Sequence, residues 1–221
     1  MYSSVIIPAG GSSQRYQKHK LLEFIHGKLV IEYSIQAFLS SPLIHDIIVP
    51  CHADILSHIP SALKAHPQLH WVEGGRTRSE SVYLGVRALR ESCDTVLVHD
   101  AARPNVSKVL IEALFRALQE ASAVVPGIPV SDTIKIIDGG MVQQTLDRNR
   151  LIAVQTPQGF HKQLLEAAYS AVPDYFAFTD ESSLVEASGV PVQVIEGDIH
   201  NIKLTYRQDF HRLCDLMSPA G

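Results

Sequence analysis

The sequence predicts an α/β fold, a mostly parallel sheet covered by helices on both faces, and three observations carry that reading. β-branched runs alternate with stretches of helical apolar period along most of the chain. The run Thr95-Val96-Leu97-Val98 is apolar nearly throughout, the pattern of a strand buried on both faces. Residues 130–155 break the rhythm with two short runs around Asp138-Gly139-Gly140, which read as an inserted β-hairpin. At 221 residues the chain is read as one domain, 1–221, long enough to bury a core.

The elements follow in order. Ser4-Val5-Ile6-Ile7 is a strand running into the glycine turn Pro8-Ala9-Gly10-Gly11. A helix over 29–39 sets Val30, Ile31, Ser34, Ile35, Phe38 and Leu39 on one face, and Pro42 closes it. Residues 44–50 form a second strand, 53–65 a short helix, and Trp71-Val72-Glu73 a third strand ending at Gly74-Gly75. A helix over 79–91 repeats the period through Val82, Leu84, Val86 and Leu89, and the strand 95–98 stops at His99 and Asp100. Ser107 caps a helix over 107–121, with Val109, Leu110, Ala113, Leu114, Ala117 and Leu118 sharing a face. Ala123-Val124-Val125 opens another strand. The hairpin pairs 133–137 with 141–146; its edges are covered either by a partner subunit or by folding back on its own domain. Helices at 161–171 and 180–188, a strand at 191–196 and a helix at 206–217 complete the chain.

Composition excludes several classes. Hydrophobic residues at 46% and charged residues at 19% are those of a globular protein, not a disordered one. A net charge of −4 argues against wrapping nucleic acid. No segment approaches the ~18 apolar residues of a membrane span, and Val5-Ile6-Ile7 is too short for a signal peptide. Cys51, Cys93 and Cys214 are odd in number and show no CxxC spacing, which suits a reducing compartment, and the expected address is the cytoplasm, or the lumen of an organelle if a transit peptide was trimmed. Of the eleven histidines only His66 and His70 have metal-ligand spacing, and Pro67 breaks the helix that would align them.

In open parallel sheets the ligand lies at the carboxyl ends of the strands. Three polar clusters fall there. The first is Pro8 to Arg15 with Lys20 beyond, where small residues let backbone N–H groups approach phosphate oxygens and the cations supply charge. It matches neither the Walker nor the GxGxxG pattern. The second is Gly74-Gly75-Arg76-Thr77-Arg78-Ser79-Glu80-Ser81. A cation at a helix start is disfavoured by the helix dipole, so Arg78 is expected to meet an anion or to pair with Glu80. The third is His99-Asp100-Ala101-Ala102-Arg103-Pro104, with Asp100 placed for a ribose hydroxyl or a metal, or else as a loop cap. Asp147-Arg148-Asn149 and Asn201-Ile202-Lys203 add cations. No nucleophile elbow and no HExxH motif is present. Cations at strand ends are what phosphoryl or nucleotidyl transfer requires.

These segments, together with Pro129-Val130-Ser131-Asp132-Thr133, Thr156-Pro157-Gln158-Gly159-Phe160 and Thr179-Asp180-Glu181, resemble the 2-C-methyl-D-erythritol 4-phosphate cytidylyltransferase family of the non-mevalonate isoprenoid pathway, in order and over nearly the whole chain. The resemblance implies a Rossmann-like nucleotidyltransferase sheet, a homodimer built through the hairpin arm 130–155, and Mg²⁺. It implies that CTP and methylerythritol phosphate give the CDP-alcohol and pyrophosphate by in-line attack, without a protein nucleophile. By that likeness Arg15 and Lys20 hold the triphosphate, while Pro8, Ala9, Gly10, Gly11, Gly75 and Ser81 surround the cytosine and ribose. Asp100 with Ala101 sits by the ribose, and Asp100 by the metal. Arg103, Thr133, Arg148 and Lys203 hold the acceptor, Thr133 and Arg148 reaching across the dimer.

The chain departs from the family pattern in places. The loop from Arg15 to Lys20 is short and His19 replaces a proline; Lys20 matches better than Lys18 because Leu21-Leu22 follow it. Arg76 stands where an acidic or small residue is expected, and Ser131 replaces a basic one. A cytidylyltransferase for another polyol phosphate, such as ribitol 5-phosphate, would share the CTP half. A non-catalytic nucleotide-binding module is the alternative of another class, and the joint presence of Arg15, Lys20, Asp100 and Lys203 argues against it.

Overall fold

The computed structural model describes residues 2–10 and 19–218. Its core is an eight-stranded sheet in the order β10-β7-β11-β6-β1-β4-β5, with β12 also on β7. β1 (Ser3–Ile6), β4 (Asp46–Cys51), β5 (Leu69–Glu73) and β6 (Thr95–Val98) run parallel. β7 (Ala123–Pro129) pairs parallel with β12 (Gln193–Glu196). β11 (Gln158–His161) lies antiparallel between β6 and β7, and β10 (Ile152–Val154) is antiparallel on the far half of β7. The sheet is therefore parallel on one side and mixed on the other.

Alternation along the strands builds a core on each face. Val5 and Ile7 pack with Ile47 and Val49 under α1 (Val30–Leu39) and α5 (Lys108–Ala117). Ile6, Ile48, Val96 and Val98 pack on the other face with α4 (Arg78–Arg87), α6 (Lys162–Ala171) and α7 (Glu181–Ala187). α8 (Arg207–Leu216) closes the first face through Leu213.

Several local expectations are corrected. The helix expected over 53–65 is two, α2 (Ala53–His58) and α3 (Ser61–Lys64), because Pro60 forces Ile59 into an extended conformation. On α5 the buried stripe is Leu110, Ile111, Leu114 and Phe115, and Val109 is exposed; the larger Ile111 and Phe115 set the phase. On α4, Leu84 is exposed and Gly85 faces the sheet. A Cβ on Gly85 would lie 2.6 Å from Ile6 Cγ2, so close packing on β1 decides which face turns inward. A hairpin that the sequence reading passed over joins β2 (Phe24–Ile25) to β3 (Lys28–Leu29), through His26 and Gly27 at positive φ.

The expected hairpin at 130–155 is present as β8 (Lys135–Asp138) and β9 (Met141–Thr145), a separate two-stranded sheet with a bulge between Ile136 and Ile137. Every residue of both strands is exposed. Residues 152–154, counted in the arm, instead belong to the main sheet as β10. Among the described residues no helix is long and apolar enough to cross a membrane.

Candidate active site

The loops after β1, β5 and β6 meet at the carboxyl ends of the sheet. The chain after β1 continues the ladder, with Ile7 N donating to Ile48 O and the buried Ala9 N donating to Pro50 O at 2.7 Å. Pro8, Ala9 and Gly10 thus lie along the strand end. A Cβ on Gly10 would stand 2.7 Å from Ser81 Oγ and 3.2 Å from Gly75 O, so only glycine fits there. Buried Ser81 accepts from Gly75 N at 3.0 Å and donates to Thr77 O at 2.9 Å. Gly10, Gly75 and Ser81 therefore form one wall. Thr77 caps α4, and Glu80 Oε2 accepts from Arg76 N at 2.6 Å.

Beside that wall stands a charge cluster. Asp100, at the end of β6, receives Arg78 Nε on Oδ1 at 2.9 Å and Lys203 Nζ on Oδ2 at 2.7 Å. Arg103 Nε lies 3.7 Å from the same Oδ2 and has no hydrogen-bond partner among the described residues. Arg78 continues to the buried Glu181 with a fork of 3.0 and 2.9 Å. Arg78 thus bridges two carboxylates and does not pair with Glu80. Its placement at the first residue of α4 is stabilised by anions that only the tertiary fold brings near. These residues line a cavity of about 260 Å³, whose wall includes Gln155, Thr156, Gln158 and Asp180.

Electrostatics follow from burial and pairing. Burial alone would raise the Asp100 carboxyl, but Arg78, Lys203 and Arg103 outweigh it and hold the group well below the usual carboxylate range. Burial raises Glu181, with Arg78 pulling the other way. Burial lowers Arg103, against the attraction of Asp100. Arg78, Arg103 and Lys203 stand against Asp100 and Glu181, and Asp180 on the same wall, held ionised by donors from Ser183, Gln158 and Ser182, brings the cavity to charge balance.

A second layer ties the motifs together. Fully buried His99 has Nε2 3.0 Å from Arg103 O and Nδ1 3.2 Å from Thr156 Oγ1. Burial pushes its imidazole down to about 4. Asp100 N donates to Thr156 Oγ1 at 3.0 Å, Asn201 Nδ2 to Thr156 O at 2.8 Å, and Arg103 Nη1 to Asn201 O at 2.7 Å. Gln158 Nε2 donates to Asp180 Oδ2 at 2.6 Å and its Oε1 accepts from Ser182 N, tying β11 to the start of α7. Ala101 is buried, its carbonyl taking Ser34 Oγ at 2.9 Å.

The remaining expected residues lie elsewhere. Lys20 opens a short 3₁₀ turn, and its Nζ donates to Leu204 O at 2.9 Å, one residue from Lys203. Arg15 and Gly11 lie outside the described residues, as does Lys18. Thr133 and Arg148 are exposed at the base of the arm, where Arg148 Nη1 donates to Ser131 O at 2.7 Å. Neither lines the Asp100 cavity of its own chain. The sequence assigned no individual role to Glu181, Thr156, Gln158 or Asn201, which stood only within the matched motif segments, beside the unfavourable cation at the start of α4. Cys51, at the end of β4, is buried, and burial pushes its thiol up to about 11, which keeps it protonated at neutral pH.

The comparisons agree over the whole chain. The family model described as 2-C-methyl-D-erythritol 4-phosphate cytidylyltransferase matches residues 3–217. A protein of that name from Dictyoglomus thermophilum is 39% identical over 211 residues, 92% of this chain and 91% of its own. Its namesake from Bacillus mycoides is 37% identical over 215 residues, 95% of this chain and 94% of its own. The crystal structure of 4-diphosphocytidyl-2C-methyl-D-erythritol synthase from Anaerococcus prevotii superposes with a TM-score of 0.86 at 31% identity, covering 98% of this chain and 96% of that one. By sequence and by fold, the chain belongs to the 2-C-methyl-D-erythritol 4-phosphate cytidylyltransferase family.

Proposed function

We propose that this cleft transfers the cytidylyl group of CTP to 2-C-methyl-D-erythritol 4-phosphate, giving 4-diphosphocytidyl-2-C-methyl-D-erythritol and pyrophosphate. The observation that carries the reading is the convergence of Arg78, Arg103 and Lys203 on Asp100 beside the close-packed wall of Gly10, Gly75 and Ser81 at the sheet's carboxyl end. An acceptor phosphate oxygen attacks the α-phosphorus, a new P–O bond forms, and the bond to the bridging oxygen breaks, pyrophosphate leaving with the electron pair. A phosphate monoester, with its second pKa at about 6, is already ionised at neutral pH, so no general base is required. The protein's work is positioning and neutralising charge.

Residue roles follow the cleft. The glycine and serine wall accepts the nucleoside, and Asp100 takes a ribose hydroxyl. Lys20, with Arg15, holds the triphosphate. Arg103 and Lys203, both on the cavity, take the acceptor phosphate.

For magnesium, no three of the described His, Cys, Asp and Glu residues gather into a cage. The carboxylates on or beside the cavity are Asp100, Asp180 and Glu181, of which Glu181 is forked by Arg78 and Asp180 is held by Gln158, Ser182 and Ser183. That donor set fits an ion arriving on the triphosphate with its waters and taking one protein oxygen, from Asp100. When bound, it would neutralise charge on the phosphates.

The working unit proposed is a homodimer. Ile136, Ile137, Met141 and Val142 are exposed on β8 and β9, and an isolated two-stranded hairpin is marginal in water. Packing the arm on a second copy covers these residues and carries Thr133 and Arg148 to the partner's cleft. Three unpaired cysteines suit a reducing cytoplasm.

Pyrophosphate release with CTP and Mg²⁺ tests the reading, methylerythritol 4-phosphate being compared with ribitol 5-phosphate. Release with the first alone is expected. Release with only the second would keep the nucleotide half and overturn the acceptor, and release with neither would overturn transfer.

A further inference from the structure

We propose that His99 is a two-ended positioning residue, setting Asp100 through one ring nitrogen and Arg103 through the other. This rests on the roles given above to those two residues. His99 lies wholly inside the protein, edge-on to Phe38 at 5.0 Å between ring centres. A charge there is costly without a bonded counter-ion, and its two hydrogen-bond partners are a carbonyl and a hydroxyl.

The partners dictate the direction of each bond. Arg103 O can only accept, so Nε2 carries the ring proton. Nδ1 then has a lone pair and must accept from Thr156 Oγ1. That leaves the Thr156 oxygen free to accept Asp100 N. The chain has one sense: Asp100 N–H to Thr156 O–H to Nδ1, and Nε2–H to Arg103 O. Thr156 O takes Asn201 Nδ2, and Asn201 O takes Arg103 Nη1, so His99, Thr156, Asn201 and Arg103 form a closed ring. One side of the ring fixes the carboxylate that serves the nucleotide, and the other fixes the guanidinium that serves the acceptor.

The two ends can be cut separately. In His99→Asn the short amide reaches the place of Nδ1 and keeps the acceptor for Thr156, but abandons Arg103 O. In His99→Gln the longer amide reaches the place of Nε2 and keeps that donor, but not the Thr156 bond. His99→Asn is expected to raise the acceptor KM about tenfold, the size of one lost hydrogen bond, with the CTP KM little changed. His99→Gln and Thr156→Val should raise the CTP KM instead, while Thr156→Ser stays close to wild type. KM values that move together in all these variants, in step with the unfolding midpoint, would reduce His99 to a packing residue and overturn the proposal. A direct readout needs no variant: nitrogen-15 NMR of the wild-type protein at neutral pH should show this imidazole neutral and protonated on Nε2. An Nδ1-protonated ring would overturn the chain of bonds. Failure of the wild type to release pyrophosphate would remove the functional reading, while the NMR result would still decide the ring.

Discussion

Asp100 lies 7% exposed, and a carboxylate so placed is tolerated only where charges and donors answer it. Arg78 and Lys203 take one oxygen each, and Thr156 receives its backbone N–H. Lys20 is set beside the Lys203 segment by its bond to Leu204 O. Lys20→Ala should therefore leave the circular dichroism spectrum unchanged and cut turnover by on the order of 10²-fold or more, in the range of one lost transition-state contact. Wild-type turnover in that variant would remove Lys20 from the triphosphate. His99 supplies a pH signature. Unfolded, it takes up a proton near its ordinary 6.5, but folded only near 4. The unfolded chain binds more protons between those values, so this contribution is complete above pH 6.5 and is lost as the pH falls toward 4. It amounts to on the order of 3 kcal/mol. Urea unfolding at pH 7 and pH 4.5 should show wild type losing more stability than His99→Gln, and equal losses would contradict it.

At the scale of elements, what was legible depended on whether local pattern or tertiary partner decided the outcome. β6 and α5 were readable because their apolar runs and the Ser107 cap are local signals, and Ser107 Oγ does accept from Leu110 N at 3.3 Å. β11 was not. Gln158-Gly159-Phe160-His161 has little strand character, and it is a strand because β6 and β7 leave a slot with unpaired backbone on both sides. Gly10 and Gly75 were legible as glycines at strand ends, whereas a role for Ser81 came from the family resemblance. The fork from Arg78 to Glu181 was not, because its partners stand 103 positions apart. The arm was visible through Asp138-Gly139-Gly140, and Gly139 and Gly140 do take positive φ, at 53° and 81°. Arg148, at its base, tests what the arm is for. Arg148→Ala is expected to impair acceptor use about tenfold or more in kcat/KM and leave the CTP KM nearly unchanged; an unchanged acceptor kcat/KM would detach the arm from the site.

Across the whole molecule, segments far apart in the chain close on one another at the sheet's carboxyl end. The loop after β6, the segment entering β11 and the segment before α8 share the ring of His99, Thr156, Asn201 and Arg103. Gln158 extends the tie to α7. One chain contributes all of this, yet Thr133 and Arg148 stay outside its own cavity. If the arm serves the partner, mixing the impaired variants Lys20→Ala and Arg148→Ala restores one intact site in each mixed dimer. About a quarter of wild-type activity is then expected, half of the dimers being mixed with one good site of two. No recovery after subunit exchange would place both residues in one chain's site. The most direct test of the cleft itself is pyrophosphate release from CTP and methylerythritol 4-phosphate by wild type beside Asp100→Asn, which is close in shape but neutral. The expected result is release that requires both substrates in wild type and falls by about 10²-fold or more in the variant. Wild-type rates in Asp100→Asn, or release indifferent to the acceptor, would contradict the assignment of chemistry to this cluster.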